Sequence, residues 1–373
     1  MKIGIDISML VYQGSGVANY TYNLVKHLLK DDKKNEYRLF YSSFRRPKNF
    51  YYLNGFRQLG AKVYDYRFPP SFLKFVWGKH HLLPVEWLIG KVDVFHSSDF
   101  LRPPLSAKTK AITTIHDLTW KLFPEFHEQR IIDAHEWKLK KTIEYGDTII
   151  TDSQNTKKDL LKYYPHIQKT NRVEVIYPGI DERFRIIKNE KRITEVLRKY
   201  GVQYPSKFLL YVGAIEPRKN LDTAIKVFHQ LISEKKYEDF KFLIVGRAGW
   251  KNEDVFQSIK RLKLEDKVRF VGFVKDDDLP YFYNGAKAFI YLSKYEGFGL
   301  PPIEAAACGC PALLYNNSSL NEIFKPGYPY AKEGRELETL KRLINDTNFN
   351  VNKFTYDFSW KNYVKKFLSI ITF

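Results

Sequence analysis

The chain has few cysteines and no long apolar run. Of its 373 residues only two are cysteines, Cys308 and Cys310. Two are too few for a disulfide framework, and they lie too close together for a usual metal spacing. No apolar run approaches the roughly 18 residues of a membrane-spanning helix. The segment Met1–Met9 contains Asp6 and has the pattern of a strand rather than a secretory leader, so we expect a protein of the reducing cytoplasm.

Tandem repeats and low-complexity tracts are also missing from the sequence. A chain of this length, with 44% hydrophobic residues, suits two domains with a core each. Strands and helices alternate through both halves, which predicts an α/β fold with parallel sheets. The turn-rich break at Tyr177–Asp181 separates the halves. We therefore predict domains at 1–178 and 179–355, followed by a last helix in the segment 356–373.

Acidic residues are too few to balance the basic ones, and the net charge is +19. The excess is dense in residues 37–81, where Asp65 is the only acid and aromatic residues are interleaved. The basic residues there are Arg38, Arg45, Arg46, Lys48, Arg57, Lys62, Arg67, Lys74 and Lys79. Two interpretations stay open: a solvated basic surface over a domain core, or an anionic membrane surface or lipid-linked substrate as partner. Nucleic acid is disfavoured, because no known nucleic-acid-binding pattern accompanies the charge.

The stretch Glu296–Glu304 combines two carboxylates with two glycines and two prolines. It follows an apolar run, Phe289–Leu292, that has the pattern of a buried strand, and Pro301 and Pro302 suit the first turn of a helix. A glycine loop that feeds a helix N-terminus presents N–H groups and a positive dipole end to a phosphate. Carboxylates on either side can accept hydrogen bonds from hydroxyls. The stretch therefore predicts a site for a nucleotide sugar.

Other chemistry-bearing residues follow predicted strands. Arg218 and Lys219 lie between a strand and a helix, where paired cations favour a diphosphate. His116 ends a predicted strand, at the edge where open α/β sheets bind ligands, although a lone histidine is often structural. The loop at Gly16 after the first strand is either a plain turn or a ligand loop. We also assign Val274, for backbone contact with a base, and Gly246 to the donor-binding set.

A metal ion is not expected at this site. The only Asp-x-Asp match is Asp276-Asp277-Asp278, and it opens a predicted short helix. Acids at a helix start interact favourably with the helix dipole, so we predict a capping role for them. No cofactor is predicted beyond the nucleotide sugar itself, which is a co-substrate.

These residues together resemble a known family. The run Tyr295–Ala305 is similar to the E-x7-E signature of retaining glycosyltransferases of the GT-B fold, family 4, group 1. Further segments resemble the family in the same order along the chain: Gly16–Thr21, Ile115–Asp117, Thr151–Asp159, Tyr177–Asp181, Gly213–Asn220 and Val271–Leu279. Several collinear matches are far more specific than one motif.

The resemblance implies two Rossmann-like domains that face a cleft, with the acceptor on the first domain and the nucleotide sugar on the second. The C-terminal helix is implied to cross back to the N-terminal domain. By position, Glu304 would bind the ribose hydroxyls, Glu296 the transferred sugar, and Lys219 with Arg218 the leaving diphosphate. The backbone N–H groups of Gly297, Phe298, Gly299 and Leu300 would hold sugar hydroxyls and phosphate. Gly16 would lie beside the phosphates, and His116 beside the reacting sugar or acceptor.

The implied reaction is retaining, metal-independent transfer of a hexose from GDP-mannose, or a UDP- or dTDP-sugar, to a hydroxyl of a glycan or lipid-linked acceptor. Surface polysaccharide biosynthesis at the inner face of the membrane is the implied setting. The sequence departs from the family pattern at Ala18 and Ala214, where many members have a glycine and an arginine, so Arg218 must supply the second positive charge. Two alternatives stay open: an epimerase or phosphorylase of the same fold, and an inactive module that binds a membrane surface.

Overall fold

The computed structural model describes residues 1–44, 46, 50–98, 101–247 and 253–372. Its strands are β1 (Lys2–Asp6), β2 (Glu36–Ser42), β3 (Lys62–Tyr66), β4 (Val94–Ser97), β5 (Lys110–Ile115), β6 (Thr148–Thr151), β7 (Val173–Val175), β8 (Phe208–Val212), β9 (Lys241–Val245), β10 (Val268–Gly272), β11 (Ala288–Tyr291) and β12 (Ala312–Leu314).

Its α-helices are α1 (Gly16–Asp31), α2 (Tyr52–Gln58), α3 (Pro70–Leu73), α4 (Glu86–Ile89), α5 (Thr119–Leu122), α6 (Gln129–Glu144), α7 (Gln154–Tyr163), α8 (Ile167–Thr170), α9 (Glu190–Lys199), α10 (Leu221–Ile232), α11 (Glu253–Arg261), α12 (Leu279–Gly285), α13 (Leu300–Ala307), α14 (Leu320–Ile323), α15 (Glu336–Asn345) and α16 (Trp360–Ile371). Short 3-10 turns lie at Ser8–Val11, Pro124–Phe126, Pro217–Lys219, Lys235–Tyr237 and Val351–Phe354, and a π-helical turn lies at Lys74–Lys79.

The chain divides into two compact units. Unit 1 comprises Met1–Gly179 and Phe358–Phe373, and unit 2 comprises Ile180–Asp357. Each unit has its own parallel sheet with helices in the connections between strands. The prediction of an α/β fold with two Rossmann-like halves is confirmed.

Among the described residues, the sheet of unit 1 has seven strands in the order β3-β2-β1-β4-β5-β6-β7, and they pair in parallel. Parallel sheets are covered on both faces, so adjacent strand residues are both apolar. Ile149 and Ile150 of β6 show this, since neighbours on a strand point to opposite faces and both side chains are fully buried. Ile149 packs with Leu160 of α7, whereas Ile150 belongs to the cluster that contains Leu24 of α1.

The C-terminal helix α16 packs on unit 1. Ser359 caps its start by accepting a hydrogen bond from the Asn362 amide. Tyr363, Phe367 and Ile370 are buried at helical spacing in the same cluster as the α1 residues. The expectation that the last helix crosses back to the N-terminal unit is therefore confirmed.

The sheet of unit 2, in the described part of the chain, has five parallel strands in the order β10-β9-β8-β11-β12. The chain moves outward from β8 to β10 and then returns to the other side of β8 with β11. The loops after β8 and β11 thus leave the carboxyl edge of the sheet side by side. Open α/β sheets bind ligands at this kind of switch point.

The short helix that the sequence predicts after Asp276, Asp277 and Asp278 is present as α12, but the predicted capping role is met in position only. Asp278 occupies the N-cap position of α12, but within the described chain its carboxylate makes no capping hydrogen bond. It accepts instead from the hydroxyl of Tyr200 at 2.9 Å, and Asp277 accepts from Arg183 at 3.2 Å. These acids therefore tie α12 to neighbouring segments of unit 2, because their side chains find tertiary partners.

None of the described helices is both long and apolar enough to cross a bilayer.

Candidate active site

The loop after β8 is shaped by a short turn and an unusual backbone conformation. Pro217–Lys219 forms a 3-10 turn, and Asn220 follows with a φ of 55°, in the left-handed region. Asparagine tolerates this region better than most residues, because its short side chain can hydrogen-bond locally. The Asn220 side-chain amide donates to the Leu292 carbonyl at 3.1 Å, and the Lys294 amide donates to the Arg218 carbonyl at 2.9 Å. These contacts join the loop after β8 to the loop after β11.

Glu296 lies between the two predicted phosphate-binding cations. Lys219 Nζ donates to Glu296 Oε1 at 2.7 Å, and Arg218 Nη1 donates to Glu296 Oε2 at 3.0 Å. The three side chains are buried, with 8–15% of each exposed. The structure therefore brings together residues that the sequence placed in two separate loops.

Two further residues complete this cluster, and the sequence reasoning missed both. Glu216 accepts from Arg218 Nη2 at 2.6 Å, and the Tyr291 hydroxyl lies 2.6 Å from Lys219 Nζ. Glu216 carries a sequence signal, since it lies two residues before Arg218. Tyr291 carries no sequence signal, because an aromatic residue in a buried strand is expected to belong to the hydrophobic core.

The cluster strongly favours an ionised Glu296. Burial alone would raise the pKa of its carboxyl, but Lys219 and Arg218 outweigh burial and lower this pKa to about 2. Burial and the neighbouring Arg218 lower the pKa of Lys219, and Glu296 opposes that change. Glu296 is thus a carboxylate at every pH near neutrality.

The predicted glycine loop and helix start are present beside this cluster. Gly299 has a φ of 107°, which glycine adopts without strain, and α13 begins at the next residue. Gly297 and Phe298 are buried in the loop. Ser318 Oγ accepts from the Glu296 amide at 3.0 Å, and Ser319 Oγ lies 2.8 Å from the Phe298 carbonyl oxygen. These two adjacent serines therefore hold the loop at Glu296 and at Phe298.

Glu304 lies one turn into α13 and has different partners from Glu296. The Tyr283 hydroxyl donates to Glu304 Oε2 at 3.2 Å. Burial raises the pKa of the Glu304 carboxyl to about 8, and the nearby Asp276 adds to the rise while Tyr283 opposes it. The pKa values of the two glutamates of the stretch are therefore shifted in opposite directions.

The remaining donor-side candidates lie at other strand ends of unit 2. The Val274 side chain is buried just beyond β10. Gly246 follows β9, and a Cβ added there would lie only 1.9 Å from the Gly213 carbonyl oxygen. Close packing of two loops therefore accounts for a glycine at this position without any ligand. Leu300 is the first residue of α13.

His116 and Gly16 belong to unit 1. His116 Nδ1 lies 2.6 Å from Asp152 Oδ2, and the histidine ring meets Tyr20 edge-on with centroids 4.7 Å apart. Asp152 directly follows β6, next to Ser153, and the sequence reasoning noted only the capping serine. Its carboxylate orients the His116 ring. Gly16 is exposed at the first position of α1, after the N-cap Ser15.

Among the described residues, no group of three or more histidines, cysteines and acids is arranged to hold a metal ion.

The fold and the charged loops define a class. Each unit winds a parallel sheet in the doubly wound manner of nucleotide-binding proteins, and unit 2 carries paired cations and a helix start at its switch point. The family model for glycosyl transferases group 1 matches residues 193–348, and the model for glycosyltransferase family 4 matches residues 14–184. Because these matches together take in most of the chain, the protein belongs to the group 1 glycosyltransferases of family 4.

Curated relatives agree with this assignment. The chain is 26% identical over 328 residues to the O-antigen chain mannosyltransferase B of Escherichia coli, and the match covers 87% of this chain and 84% of that protein. It is 30% identical over 221 residues to the serotype-specific mannosyltransferase WbdA of Escherichia coli, but that match spans only 26% of WbdA. It is 27% identical over 255 residues to the O-antigen chain mannosyltransferase RfbU of Salmonella typhimurium, with 65% of each chain covered.

Solved structures share the fold over the full chain. A sucrose-phosphate synthase from Thermosynechococcus elongatus superposes with a TM-score of 0.74 at 16% identity, covering 100% of this chain and 98% of that one. Anabaena HepE, solved in complex with UDP-glucose, superposes with a TM-score of 0.71 at 17% identity, covering 100% and 99%. The chain thus has the GT-B fold that the sequence pattern indicates.

Proposed function

We propose that this protein is a retaining, metal-independent glycosyltransferase that moves a hexose from a nucleotide sugar to a hydroxyl of a glycan or lipid-linked acceptor. The observation that carries the proposal is the buried cluster of Arg218, Lys219 and Glu296 at the switch point of unit 2. The mannosyltransferase relatives favour GDP-mannose as donor and surface polysaccharide as product. Anabaena HepE, which shares the fold, was solved with UDP-glucose, so UDP- and dTDP-sugars remain candidate donors.

The cluster supplies what the bond-breaking step needs. As the bond from the sugar to phosphate breaks, negative charge builds on the leaving diphosphate. Arg218, Lys219 and the N-terminus of α13 present positive charge that is already in place, and such preorganised charge usually contributes more to catalysis than any other single effect. A metal ion is not required for this stabilisation.

The second half of the reaction uses the acceptor. Its hydroxyl oxygen attacks the anomeric carbon from the side that the diphosphate leaves, and its proton passes to an oxygen of the departing phosphate. The new glycosidic bond forms on the same face from which the sugar–phosphate bond breaks, so configuration is retained. We assign Glu296 to the hydroxyls of the transferred sugar and Glu304 to the ribose. His116, oriented by Asp152, is assigned to the reacting sugar or acceptor.

The first test is a thermal-shift screen of nucleotide sugars followed by a transfer assay. A donor that binds only the folded protein must raise its melting temperature. Glu296→Gln keeps the size of the side chain and should lower transfer by about 10²–10³-fold, the scale of losing one preorganised polar contact. The control is Glu265→Gln, which makes the same charge change on an exposed side chain of unit 2. Unchanged turnover in Glu296→Gln would contradict the proposal, and product formed without any acceptor would favour an epimerase.

We also propose that unit 1 docks on an anionic membrane surface. Exposed aromatic side chains support this: Phe72 is 41%, Phe75 is 55% and Trp87 is 74% exposed. The short helices that carry them pack through Val76 and Ile89 on one hydrophobic cluster. Exposed lysines, Lys74 and Lys79, accompany them, and this combination suits anionic lipid headgroups.

Within the basic aromatic segment 37–81, some side chains belong to the core and cannot contact a membrane surface. Phe40, Tyr41 and Trp77 are buried and therefore belong to the core. Arg46 is committed to Asp65, with Nη1 donating to Oδ2 at 2.8 Å, whereas Arg45 lies outside the described residues. Lysines are therefore better probes of docking than this arginine pair.

Sedimentation with vesicles tests the docking proposal. Replacing Lys74 and Lys79 by glutamate should weaken binding to anionic vesicles at least about 30-fold, since each lysine near such a surface contributes about 1 kcal/mol. Replacing Phe75 and Trp87 by serine should weaken it further, whereas Tyr356→Ser, which alters a comparably exposed ring of unit 2, serves as the control. Equal sedimentation of the wild type with neutral and anionic vesicles would count against this surface.

A further inference from the structure

The two cations assigned to the diphosphate already share one carboxylate within the protein. Lys219 Nζ lies 2.7 Å and Arg218 Nη1 lies 3.0 Å from the two oxygens of Glu296. Both contacts have the length of charge-assisted hydrogen bonds. Each oxygen of Glu296 is therefore engaged by a different cation.

The charges of the cluster balance within the protein. Arg218 and Lys219 contribute two positive charges, and Glu296 and Glu216 contribute two negative ones. Low exposure keeps water from screening these charges, so each acts strongly on its neighbours. A diphosphate that approaches Arg218 and Lys219 must therefore share them with a buried carboxylate that repels it.

We propose that Glu296 is an internal counter-ion that limits the affinity of the site for a nucleoside diphosphate. This inference rests on the proposed function and adds a second task to Glu296 besides contact with the sugar. During transfer the cations stabilise charge that grows on the diphosphate. After transfer, the carboxylate competes for the same cations and promotes release of the nucleoside diphosphate product.

The surrounding contacts keep this competition in place. The Tyr291 hydroxyl holds Lys219 Nζ at 2.6 Å, and the Tyr295 carbonyl accepts from Arg218 Nη1 at 2.7 Å. These contacts hold both cations beside Glu296 and oppose a swing of either side chain towards a ligand. The low pKa of the Glu296 carboxyl, about 2, agrees with a counter-ion that stays charged.

Replacing an ordinary binding residue weakens ligand binding, whereas replacing Glu296 is predicted to strengthen the binding of a nucleoside diphosphate. Glu296→Gln removes one negative charge but retains the size of the side chain, so GDP, UDP or dTDP should bind at least about tenfold more tightly. Of the two cations Arg218 and Lys219, Glu216 contacts Arg218 alone. Glu216→Gln should therefore give a smaller gain in affinity for the nucleoside diphosphate, about threefold. Glu265→Gln, on the exposed surface of unit 2, should leave the dissociation constant unchanged.

Isothermal titration calorimetry of the full chain with each nucleoside diphosphate measures these constants. Tighter binding in Glu296→Gln, with no change in Glu265→Gln, supports the counter-ion role. Equal or weaker binding in Glu296→Gln than in the wild type overturns it while leaving the proposed function standing. No binding by the wild type and the variants would overturn the proposed function and this inference together. If Glu296→Gln does not fold, Glu216→Gln replaces it in the test. Tighter binding of the nucleoside diphosphate by Glu216→Gln then supports the counter-ion role, and equal or weaker binding overturns it.

Discussion

A carboxylate between two buried cations matters for stability as well as for chemistry. From sequence alone, Glu296 looks like a residue that alanine can replace without harm to the fold. In the structure its removal leaves Lys219 and Arg218 buried beside each other with less counter-charge. A loss of activity in a Glu296 variant therefore reports on chemistry only if the substitution leaves the protein folded.

Glu296→Ala should lower the free energy of unfolding by about 3–5 kcal/mol, the cost of leaving a buried charge without its partner. Glu296→Gln should cost less, because the amide oxygen still accepts from a cation. Urea denaturation of both variants measures the difference. Equal stability of the wild type and Glu296→Ala would show that water reaches the cluster more freely than its burial indicates.

Glu304 predicts a pH dependence of stability. Its carboxyl pKa is raised by burial from 4.5 to about 8 in the folded protein. Below pH 4.5 it is protonated in both folded and unfolded chains, and its contribution to stability is fully present. As pH rises from 4.5 to 8, the unfolded chain loses this proton before the folded one does, so the free energy of unfolding falls.

Glu304→Gln cannot ionise and should escape this loss. We expect the variant to match the wild type near pH 4 and to melt higher at pH 9, by about 2–4 °C for each 1 kcal/mol of stability that the wild type loses. Thermal melts across this pH range measure it. A wild type that loses no stability relative to Glu304→Gln between about pH 5 and pH 9 would show that the carboxyl is not protonated at neutral pH.

At the level of elements, the sequence predicts most of what the structure shows. The apolar run at Phe289–Leu292 and the prolines at 301 and 302 locate β11 and α13, because periodicity and helix-start chemistry are local. Asp278 shows the limit of such local reasoning. An acid before a helix is expected to cap it, yet Tyr200 supplies a tertiary partner instead. The pairing of Glu296 with Lys219 is equally invisible, because strand order decides which loops meet.

The helix α16 makes an element-scale prediction. Phe367 is fully buried in the cluster of unit 1, whereas its neighbour Lys366 is exposed. Phe367→Ala should therefore lower the free energy of unfolding of unit 1 by about 3–5 kcal/mol, and Lys366→Ala should change it by less than about 0.5 kcal/mol. Urea denaturation compares the two variants. Similar small effects for both would mean that α16 adds little to the core of unit 1.

For the whole molecule, the chain consists of two units, each with its own sheet and core. The sequence predicts this from alternation and from the turn-rich break at Tyr177–Asp181. The residues assigned to the donor are largely in unit 2, where they follow β8, β9, β10 and β11. Binding of a nucleotide should therefore slow hydrogen exchange more in unit 2 than in unit 1.

Hydrogen exchange with and without a nucleoside diphosphate tests this division. A ligand at about 100 times its dissociation constant stabilises the form that binds it by about 2.7 kcal/mol, which slows exchange through openings that release the ligand about 100-fold. We expect strong protection in the loops 213–220 and 292–300 of unit 2, because their contacts hold the cations and the start of α13. The strands β2 and β3 of unit 1 should exchange at unchanged rates. Protection confined to unit 1 would contradict the assignment of the donor to Arg218, Lys219 and Glu296.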